Sequence, residues 1–368
     1  MAAQSYERPG PTTQLAAIGP QDVYVSMNPE VTSFAASYKQ HSPFASTPTP
    51  VYFPVLVVGG TSSVVVPHDG DVLSDMCLEI RLPVASAHVG KYLVKRAKLI
   101  IDDVVIQDHE RLWFDACDRV HTPRRHRLVQ TAAKNVYVPL KFIPNLPLVA
   151  MYNSVIKVEI ELDTPSNVPG LATSDVDVVL LCTYVDLDAG EKATLRAHEQ
   201  LLVYSAPQDM DELSYNVSEF GRNARRMVKV DLSECNHIVT HFLFVLYHEN
   251  SIFVYEDCLE SVTFLVNGQE QQEARAPGYF QLVQKYTHCD AMLPSNVSVY
   301  SFALRAQLHP ENKVFEVQPS GGLNFSVLKT PQLQIVFRED FTDIKCKVFV
   351  GTLNWLRVSN GFASTIFT

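Results

Sequence analysis

VSVYSFALRAQLHPENKVFEVQPSGGLNFSVL, residues 297–328, contains the pattern that decides the fold. Residues 299–305 alternate between an apolar side, formed by Tyr300, Phe302 and Leu304, and a mixed side, as in a strand that covers a core with one face. Residues 309–312 (HPEN) then have turn-forming composition, and residues 318–322 (QPSGG) predict a tight reversal in which both glycines tolerate positive φ. Residues 324–328 predict the start of the next strand. The stretch is architectural and contains no catalytic motif.

The same alternation recurs along most of the chain. Asp102-Asp103 and Asn267-Gly268 are predicted hairpin turns at corresponding places in the two halves. Many short strands, few helices and two similar halves predict an all-β protein: two tandem eight-stranded antiparallel jelly rolls with short connecting helices and an extended N-terminal arm. Predicted strands cover residues 51–58, 62–66, 77–82, 92–106, 136–142, 152–162, 176–184, 227–232, 237–247, 259–266, 332–337, 344–350 and 353–358.

The pattern also divides the chain into segments. The N-terminal arm is rich in Pro, Ser and Thr, and its Phe34, Tyr38 and Phe44 rings favour docking against a surface. The predicted segments are an arm over residues 1–50, a first jelly roll over 51–187, a helical connector over 188–208 and a second jelly roll over 209–368.

The connector is expected to contain one helix, over residues 189–202. Asp188 is its predicted N-cap, and Glu191 has the spacing of a capping box. His198 and Glu199 could suggest acid–base chemistry, but adjacent helix residues face different directions. We therefore assign this pair a structural role.

Composition limits the classes of function. A length of 368 residues suffices for two domains that each bury a core, and 46% hydrophobic with 19% charged residues indicates a folded protein. The formal net charge of −10 argues against a nucleic-acid coat, which needs a basic face, so no direct nucleic-acid binding is expected. We interpret the basic clusters at residues 124–127 and at Arg222, Arg225 and Arg226 as solvated loops or inter-subunit contacts.

The cysteines and the N-terminal sequence indicate in which cellular compartment the chain is made. No C-x-x-C pair occurs, which favours buried thiols in a reducing environment over disulfides or zinc. No signal peptide is apparent, and no apolar run reaches the ~18 residues of a membrane helix, so we expect synthesis in the host cytoplasm. The seven cysteines are at positions 77, 117, 182, 235, 258, 289 and 346.

Two groups of residues invite a metal interpretation. Asp102, Asp103 and Asp108 lack the ordered spacing of a calcium loop. His237 and His241 share one face of a predicted strand, but a four-residue offset separates them by about 13 Å, too far for one metal ion. We therefore predict no metal ligands.

No motif for catalysis or cofactor binding is present. The P-loop, G-x-G-x-x-G, H-E-x-x-H and G-x-S-x-G patterns are all missing from the sequence, so we expect no enzyme, no catalytic residues and no cofactor. Asn216, Asn296 and Asn324 each begin an N-x-Ser sequon. Whether these sequons are glycosylated stays open.

Motifs spread from Asn28 to Gly361 together resemble one protein family, the major capsid proteins of nucleocytoplasmic large DNA viruses such as iridoviruses and phycodnaviruses. In two places the chain departs from the family pattern. Asp102-Asp103 replaces paired glycines, although aspartate tolerates the same tight turn, and Trp355 stands where a smaller residue is commoner. The matching segments are NPEVTSF (28–34), the hairpin 98–106, VYVPLKF (136–142), LPLVA (146–150), YVDLD (184–188), HEQLL (198–202), YSFAL (300–304), QPSG (318–321), NFS (324–326) and NWLR (354–357).

The resemblance implies a structural role. It implies a major capsid protein that forms a homotrimer, whose six jelly rolls make a pseudo-hexagonal capsomer of an icosahedral virus shell. Its implied partners are neighbouring capsomers, minor capsid proteins and, through bridging proteins, the inner viral membrane. Its implied location is the virion. The arm is expected beneath the capsomer, and the short chain implies small outward loops.

Two other functions fit the same fold. A minor capsid or assembly-scaffold protein would differ from a major one in its share of the particle mass. A glycan-binding double jelly roll would need paired carboxylates or exposed aromatics in one cleft, and the sequence supplies no candidate pair.

Overall fold

The computed structural model describes residues 9–30, 32, 34, 40–86, 89–120, 133–168, 171, 176–210, 213–215, 227–248, 251–255, 258–289, 297–306, 318–338 and 344–367. The chain divides into two units, residues 1–42 and Pro43–Thr368. In the first unit, α1 (Pro9–Ala16) and α2 (Val23–Ser26) are helical where the sequence predicts an extended arm. Prolines fit the first turn of α1 because the N–H groups there have no intrahelical partner.

Two four-stranded antiparallel sheets pack around one core in the first half of the larger unit. The strand orders are β1-β8-β3-β6 and β2-β7-β4-β5. The strands are β1 (Phe44–Tyr52), β2 (Thr61–Val65), β3 (Val72–Ser86), β4 (Val94–Ile101), β5 (Val104–Glu110), β6 (Ala133–Leu140), β7 (Ile156–Leu162) and β8 (Asp177–Leu187). Helices α3 (Val89–Leu93) and α4 (Arg111–Val120) and the 3-10 turns Leu148–Ala150 and Pro165–Asn167 connect them.

Helix α5 (Ala189–Ala197) leads into a second sandwich. One of its sheets has the order β11-β18-β14-β15; in the other, β19 pairs with β9, β10, β12 and β20, and β12 also pairs with β13, β16 and β17. The strands are β9 (Gln200–Asp209), β10 (Leu213–Tyr215), β11 (Met227–Asp231), β12 (Ile238–His248), β13 (Ser251–Tyr255), β14 (Leu259–Val266), β15 (Gln269–Arg275), β16 (Ser298–Ser301), β17 (Leu323–Asn324), β18 (Pro331–Phe337), β19 (Ile344–Ser359) and β20 (Phe362–Thr365).

Three further helical segments belong to the second sandwich. A π-helical turn, Tyr279–Val283, continues directly into α6 (Gln284–His288), and we refer to the two together as helix 279–288. A 3-10 turn covers Phe325–Val327.

The two sandwiches share one strand order. In one sheet β1, β8, β3 and β6 correspond to β9, β19, β12 and β16, and in the other β2, β7, β4 and β5 correspond to β11, β18, β14 and β15. The helices correspond as well, because α4 lies between β5 and β6 and helix 279–288 lies between β15 and β16. The predicted all-β fold with two tandem antiparallel jelly rolls is confirmed.

The side-chain period of two explains how the strands form. Along β7 the four apolar residues are buried and the three charged ones between them are half-buried. The hairpin between β4 and β5 turns through Asp102 and Asp103, whose φ angles are 50° and 65°. Asp102 accepts hydrogen bonds from the Ser154 hydroxyl (2.7 Å) and the Val155 N–H (2.8 Å). These bonds hold a left-handed turn without glycine, and the predicted turn is confirmed.

The strand predicted over residues 299–305 ends early. β16 stops at Ser301, whose hydroxyl donates to the Ala303 carbonyl at 2.8 Å and thereby bends the chain. Leu304, which was expected on the apolar face, is 75% exposed.

The tight reversal at residues 318–322 forms as predicted, but the segment after it is only partly a strand. Gly321 has a φ of 125°, as the turn requires, whereas Gly322 is needed for space, since a Cβ there would lie 2.5 Å from the Ile238 side chain. The strand predicted over residues 324–328 is reduced to β17 and a 3-10 turn, because the Asn324 side chain accepts a hydrogen bond from the Ser326 N–H at 3.0 Å. Residues 309–312 lie outside the described residues.

The helix of the connector is shorter than the one predicted over residues 189–202. Asp188 caps α5 as expected, accepting a hydrogen bond from the Glu191 N–H at 2.7 Å. The helix ends at Ala197, and β9 pairs along its length with β19. Long-range pairing therefore overrides the helix propensity of residues 200–202.

Two other strand predictions need correction. β1 begins at Phe44, within the segment assigned to the arm, and ends at Tyr52, so residues 53–58 are not a strand. The two strands predicted over 344–350 and 353–358 are one continuous strand, β19.

Candidate functional site, the junction between the sandwiches

Helix α4 of the first sandwich is buried against the second. Its apolar residues follow helical spacing and therefore form one face. That face contacts outward-pointing residues of β12, β16 and β19, which lie on the opposite side of their sheet from the second core. The cluster contains Leu112, Trp113, Ala116, Cys117 and Val120 of α4, with Leu243, Val245, Tyr247, Val297, Val299 and Phe349 of the second sandwich.

Aromatic rings and an ion pair orient this junction. The Trp113 ring stacks on His241 with 6.4 Å between centroids and meets Phe349 edge-on at 5.6 Å. Beside the apolar cluster, Lys347 Nζ lies 2.7 Å from a carboxylate oxygen of Glu110, the last residue of β5. Both side chains are mostly buried, so this pair fixes the register of the two sandwiches more firmly than a surface pair would.

Strand β19 contributes to both cores. Its first part supplies Val348 and Val350 to the core of the second sandwich. Its last part supplies Leu356 and Val358 to the buried cluster of the first sandwich, together with Ala363 of β20. The two sandwiches therefore share a strand and cannot separate without exposing apolar surface.

Buried polar side chains add cross-connections. The Gln107 amide donates to the Ser205 carbonyl at 2.7 Å and accepts from the Ile143 N–H at 2.8 Å. The Ser154 hydroxyl accepts from the Ala363 N–H at 2.9 Å. Such satisfied bonds specify one relative placement of the halves.

Charged residues anchor α4 to its own sandwich. Asp115 is buried and receives hydrogen bonds from Lys91 (2.5 Å) and Arg119 (2.7 Å). Arg111 donates to Asp163 at 2.5 Å. Burial opposes ionisation of Asp163, but the hydrogen bond from Arg111 and those from its neighbours hold its pKa below the usual value.

Two histidines are buried at or near the junction. Burial lowers the pKa of His241 to about 4, and burial together with the Lys141 charge lowers the pKa of His109 to about 3. The His241 Nδ1 lies 2.8 Å from the Thr240 hydroxyl. A Cβ on Gly351 would lie 2.3 Å from the His241 ring, so this ring requires glycine opposite it. Both imidazoles are therefore neutral packing elements at neutral pH.

The structure does not gather the residues considered for metal binding. His237 precedes β12 with a φ of 71° and is not part of the strand. Asp103 pairs with Lys157 at 2.6 Å and Asp108 with Arg96 at 2.6 Å, while Asp102 stabilises its turn. Within the described part of the chain, no three His, Cys, Asp or Glu side chains form a group suited to a metal ion.

The remaining sequence candidates have ordinary surroundings. His198 and Glu199 follow the end of α5, and Glu199 pairs with Arg357 at 2.7 Å, which lowers its pKa. Asn324 is exposed but engaged in its turn. Asn216, Asn296 and the two basic clusters lie outside the described residues. Five cysteines are buried and two half-buried, and none forms a disulfide in this structure.

The most unusual surface of the second sandwich was not predicted from the sequence. Helix 279–288 buries Gln284 and Lys285, at 5% and 3% exposure, and exposes Leu282, Val283 and Tyr286, at 66%, 50% and 73%. The spacing of these apolar residues, three and four apart, was a visible helical signal.

Comparisons with known proteins agree with this geometry. The family described as large eukaryotic DNA virus major capsid protein matches residues 195–364, and the family described as major capsid protein N-terminus matches residues 32–198. The major capsid protein of Pyramimonas orientalis virus is 24% identical over 417 residues, covering 98% of this chain and 99% of the relative. That of Paramecium bursaria Chlorella virus 1 is 24% identical over 390 residues, covering 89% and 87%.

Solved structures share the fold. A chain of the PBCV-1 virus capsid superposes with a TM-score of 0.78 at 18% identity, covering 92% of this chain and 100% of the other. The Faustovirus major capsid protein gives a TM-score of 0.67 at 10% identity, covering 93% and 94%. Among the described residues, no helix has the length and apolar character that spanning a membrane requires.

Proposed function

We propose that this chain, which belongs to the major capsid proteins of large eukaryotic DNA viruses, forms a homotrimer that serves as a pseudo-hexagonal capsomer of an icosahedral shell. The observation that carries the proposal is the pair of sandwiches with one strand order, fixed together by α4 and β19. Three such chains supply six similar blocks, which lets a threefold assembly occupy sixfold positions.

The coarser role does not depend on the trimer. Proteins of this family build capsids with copies of themselves, and the chain is a structural component of the virion. That family membership confirms the prediction of a structural protein rather than an enzyme.

Finer partners extend the proposal. They are neighbouring capsomers, minor capsid proteins and, through bridging proteins, the inner viral membrane, with synthesis in the host cytoplasm. The division into segments 1–50, 51–187, 188–208 and 209–368 stays a proposal. The two buried clusters support the two jelly rolls, while β1 begins within the arm segment and β9 within the connector segment.

The experiment that tests the proposal measures the mass of the purified chain. Light scattering should give three chain masses over a wide concentration range, and electron micrographs should show hexagonal outlines. A monomer at every concentration would contradict the trimer. The chain's share of the particle mass then separates a major shell protein from a minor or scaffold protein.

The proposed role of the arm has its own test. Because β1 begins at Phe44, a deletion of residues 1–42 leaves the sandwich intact. We expect this variant to form trimers but to assemble poorly into shells. Normal shells from it would refute the role.

A further inference from the structure

Helix 279–288 buries Phe280 in the core of its own sandwich, but its polarity over residues 282–286 is reversed relative to a surface helix. Such a helix normally buries apolar residues and exposes polar ones. Here Leu282, Val283 and Tyr286 are half-exposed to mostly exposed, whereas Gln284 and Lys285 are buried. The burial of Gln284 has an internal reason, because its amide donates to the Tyr279 hydroxyl (2.9 Å) and accepts from the Ser301 N–H (3.0 Å). The exposed apolar patch has no such reason within the described chain.

The first sandwich contains a helix in the corresponding position whose apolar face is buried. Helix α4 holds the corresponding place in the first sandwich, and its apolar face is buried on the outer face of β12, β16 and β19. Within the described part of the chain, no sheet covers the corresponding face of helix 279–288, since Leu282, Val283 and Tyr286 remain exposed. The sheet that corresponds to β12, β16 and β19 is formed by β3, β6 and β8 of the first sandwich.

The outer face of that sheet is suitable for such a contact. On β3, β6 and β8, and on the neighbouring β1, the residues that alternate with the core residues form two rows across the sheet. We call these rows the first outer face. The rows are Pro50, Leu181, Cys77 and Pro139, and Tyr52, Val179, Glu79 and Tyr137. Most of these side chains are apolar or aromatic. Tyr52 and Tyr137 are 61% and 38% exposed, whereas Val179 and Glu79 between them are buried.

The charged residues beside the two helices differ in sign. Within the chain, Glu110 at the end of β5 pairs with Lys347 on the receiving sheet. The corresponding residue at the end of β15 is Arg275, a cation. On the first outer face, Arg81 pairs with both Glu79 (3.1 Å) and Asp177 (3.5 Å), and Asp177 is the more exposed of the two carboxylates.

We infer that the apolar patch Leu282-Val283-Tyr286 of one copy docks on the first outer face of a second copy of this chain. This inference rests on the proposed trimer and assigns its contact. The contact is head-to-tail, since helix and sheet are different surfaces, and such contacts close into a ring when the rotation permits. Each copy then presents one helix and one sheet, and all are covered in the closed trimer.

A double substitution tests the helix. Leu282→Glu with Tyr286→Glu places charges in the contact, and two interface anchors of this kind weaken association on the order of 1000-fold. The control is Val327→Glu, because Val327 is 73% exposed, as Tyr286 is. Light scattering should give trimers for the wild type and the control and monomers for the double variant, with unchanged circular dichroism in all three.

Other outcomes separate the two proposals. A wild-type trimer together with an equally stable trimer of the double variant would overturn the inference and leave the proposed function standing. Equal dissociation of the control would overturn the assignment to this helix. A monomeric wild type would overturn the trimer itself and the inference with it.

A cross-link tests the sheet. In the variant Tyr286→Cys/Tyr137→Cys, mild oxidation should join neighbouring copies into covalent trimers on a non-reducing gel. All cysteine variants carry Cys77→Ser, because the native Cys77 lies on the same face. The single variants and Tyr286→Cys/Val327→Cys serve as controls and should remain single chains. An intact trimer in which Tyr286→Cys/Tyr137→Cys does not cross-link would overturn the placement on the first outer face.

Discussion

The core of the first sandwich is made chiefly of Val, Leu and Ile side chains, whereas the core of the second is built around phenylalanine. Among the described residues, the buried cluster of the first contains one phenylalanine, Phe142. That of the second contains Phe242, Phe244, Phe264, Phe280, Phe325 and Phe337. Both have the same strand order, so the topology does not depend on one kind of packing.

The difference lies in how each core is specified. Phe242 has ring contacts with Phe244, Phe264, Tyr300, Phe302 and Phe325, at centroid distances between 5.3 and 6.5 Å. Edge-on and tilted rings prefer particular orientations, so this core depends on a few large side chains. The aliphatic core distributes the same burial over many smaller ones.

The largest effect is expected from Phe242→Ala. The side chain is fully buried at the centre of the ring cluster, and its loss should lower the free energy of unfolding by about 3–5 kcal/mol. Denaturant titration measures this change, with the exposed Phe362→Ala as control. A loss no larger than that of the control would show that the ring cluster does not organise the core.

A somewhat smaller effect is expected from Leu78→Ala in the first sandwich. Leu78 is fully buried, but the aliphatic side chains around it can relax into part of the space, so we expect a loss of about 2–4 kcal/mol. The same titration measures it. A loss exceeding that of Phe242→Ala would reverse the comparison.

The two buried histidines, His241 and His109, should make the stability of each sandwich depend on pH. The pKa of His241 falls from 6.5 unfolded to about 4 folded, so the unfolded chain binds more protons below pH 6.5. The stability that the neutral ring provides is complete above pH 6.5 and falls, by up to about 1.4 kcal/mol per pH unit, as the pH drops toward 4.

His241→Gln should flatten this part of the profile, and His109→Gln should do so separately through the first sandwich. Unfolding titrations between pH 7 and pH 4 measure both slopes. Profiles parallel to the wild type would contradict the prediction.

The smallest effect is expected at the ion pair between the sandwiches. Glu110→Gln removes the charge that Lys347 faces at 2.7 Å. Because both side chains are mostly buried but keep exposures of 13% for Lys347 and 21% for Glu110, we expect a loss of about 1–2 kcal/mol. Global unfolding by circular dichroism measures it, and Glu159→Gln, which faces Lys98 at 3.1 Å within one sandwich, is the control. An equal loss of unfolding free energy in both variants would show that the pair between the sandwiches contributes no more than a pair within one sandwich.

Local sequence signals were enough for most of the sheet. The alternation in β7 and the turns at Asp102-Asp103 and Asn267-Gly268 depend on neighbours in sequence, and the structure has them as predicted. The end of α5 depends instead on pairing between β9 and β19, more than a hundred residues apart. No local pattern carries that information.

The junction was less predictable than the fold. Trp113 belongs to a helix with an apolar face, but the face that it meets is formed by residues from Leu243 to Phe349. The patch on helix 279–288 was visible in sequence as helical spacing, yet only the burial of Gln284 and Lys285 shows which side faces outward.

The shared strand β19 has a consequence for synthesis. Leu356, Val358 and Ala363 complete the buried cluster of the first sandwich, although they are translated after nearly all of the second. During translation the core of the first sandwich therefore stays incomplete until the end of β19 and β20 have been synthesised. Its exposed apolar surface can bind chaperones throughout that time.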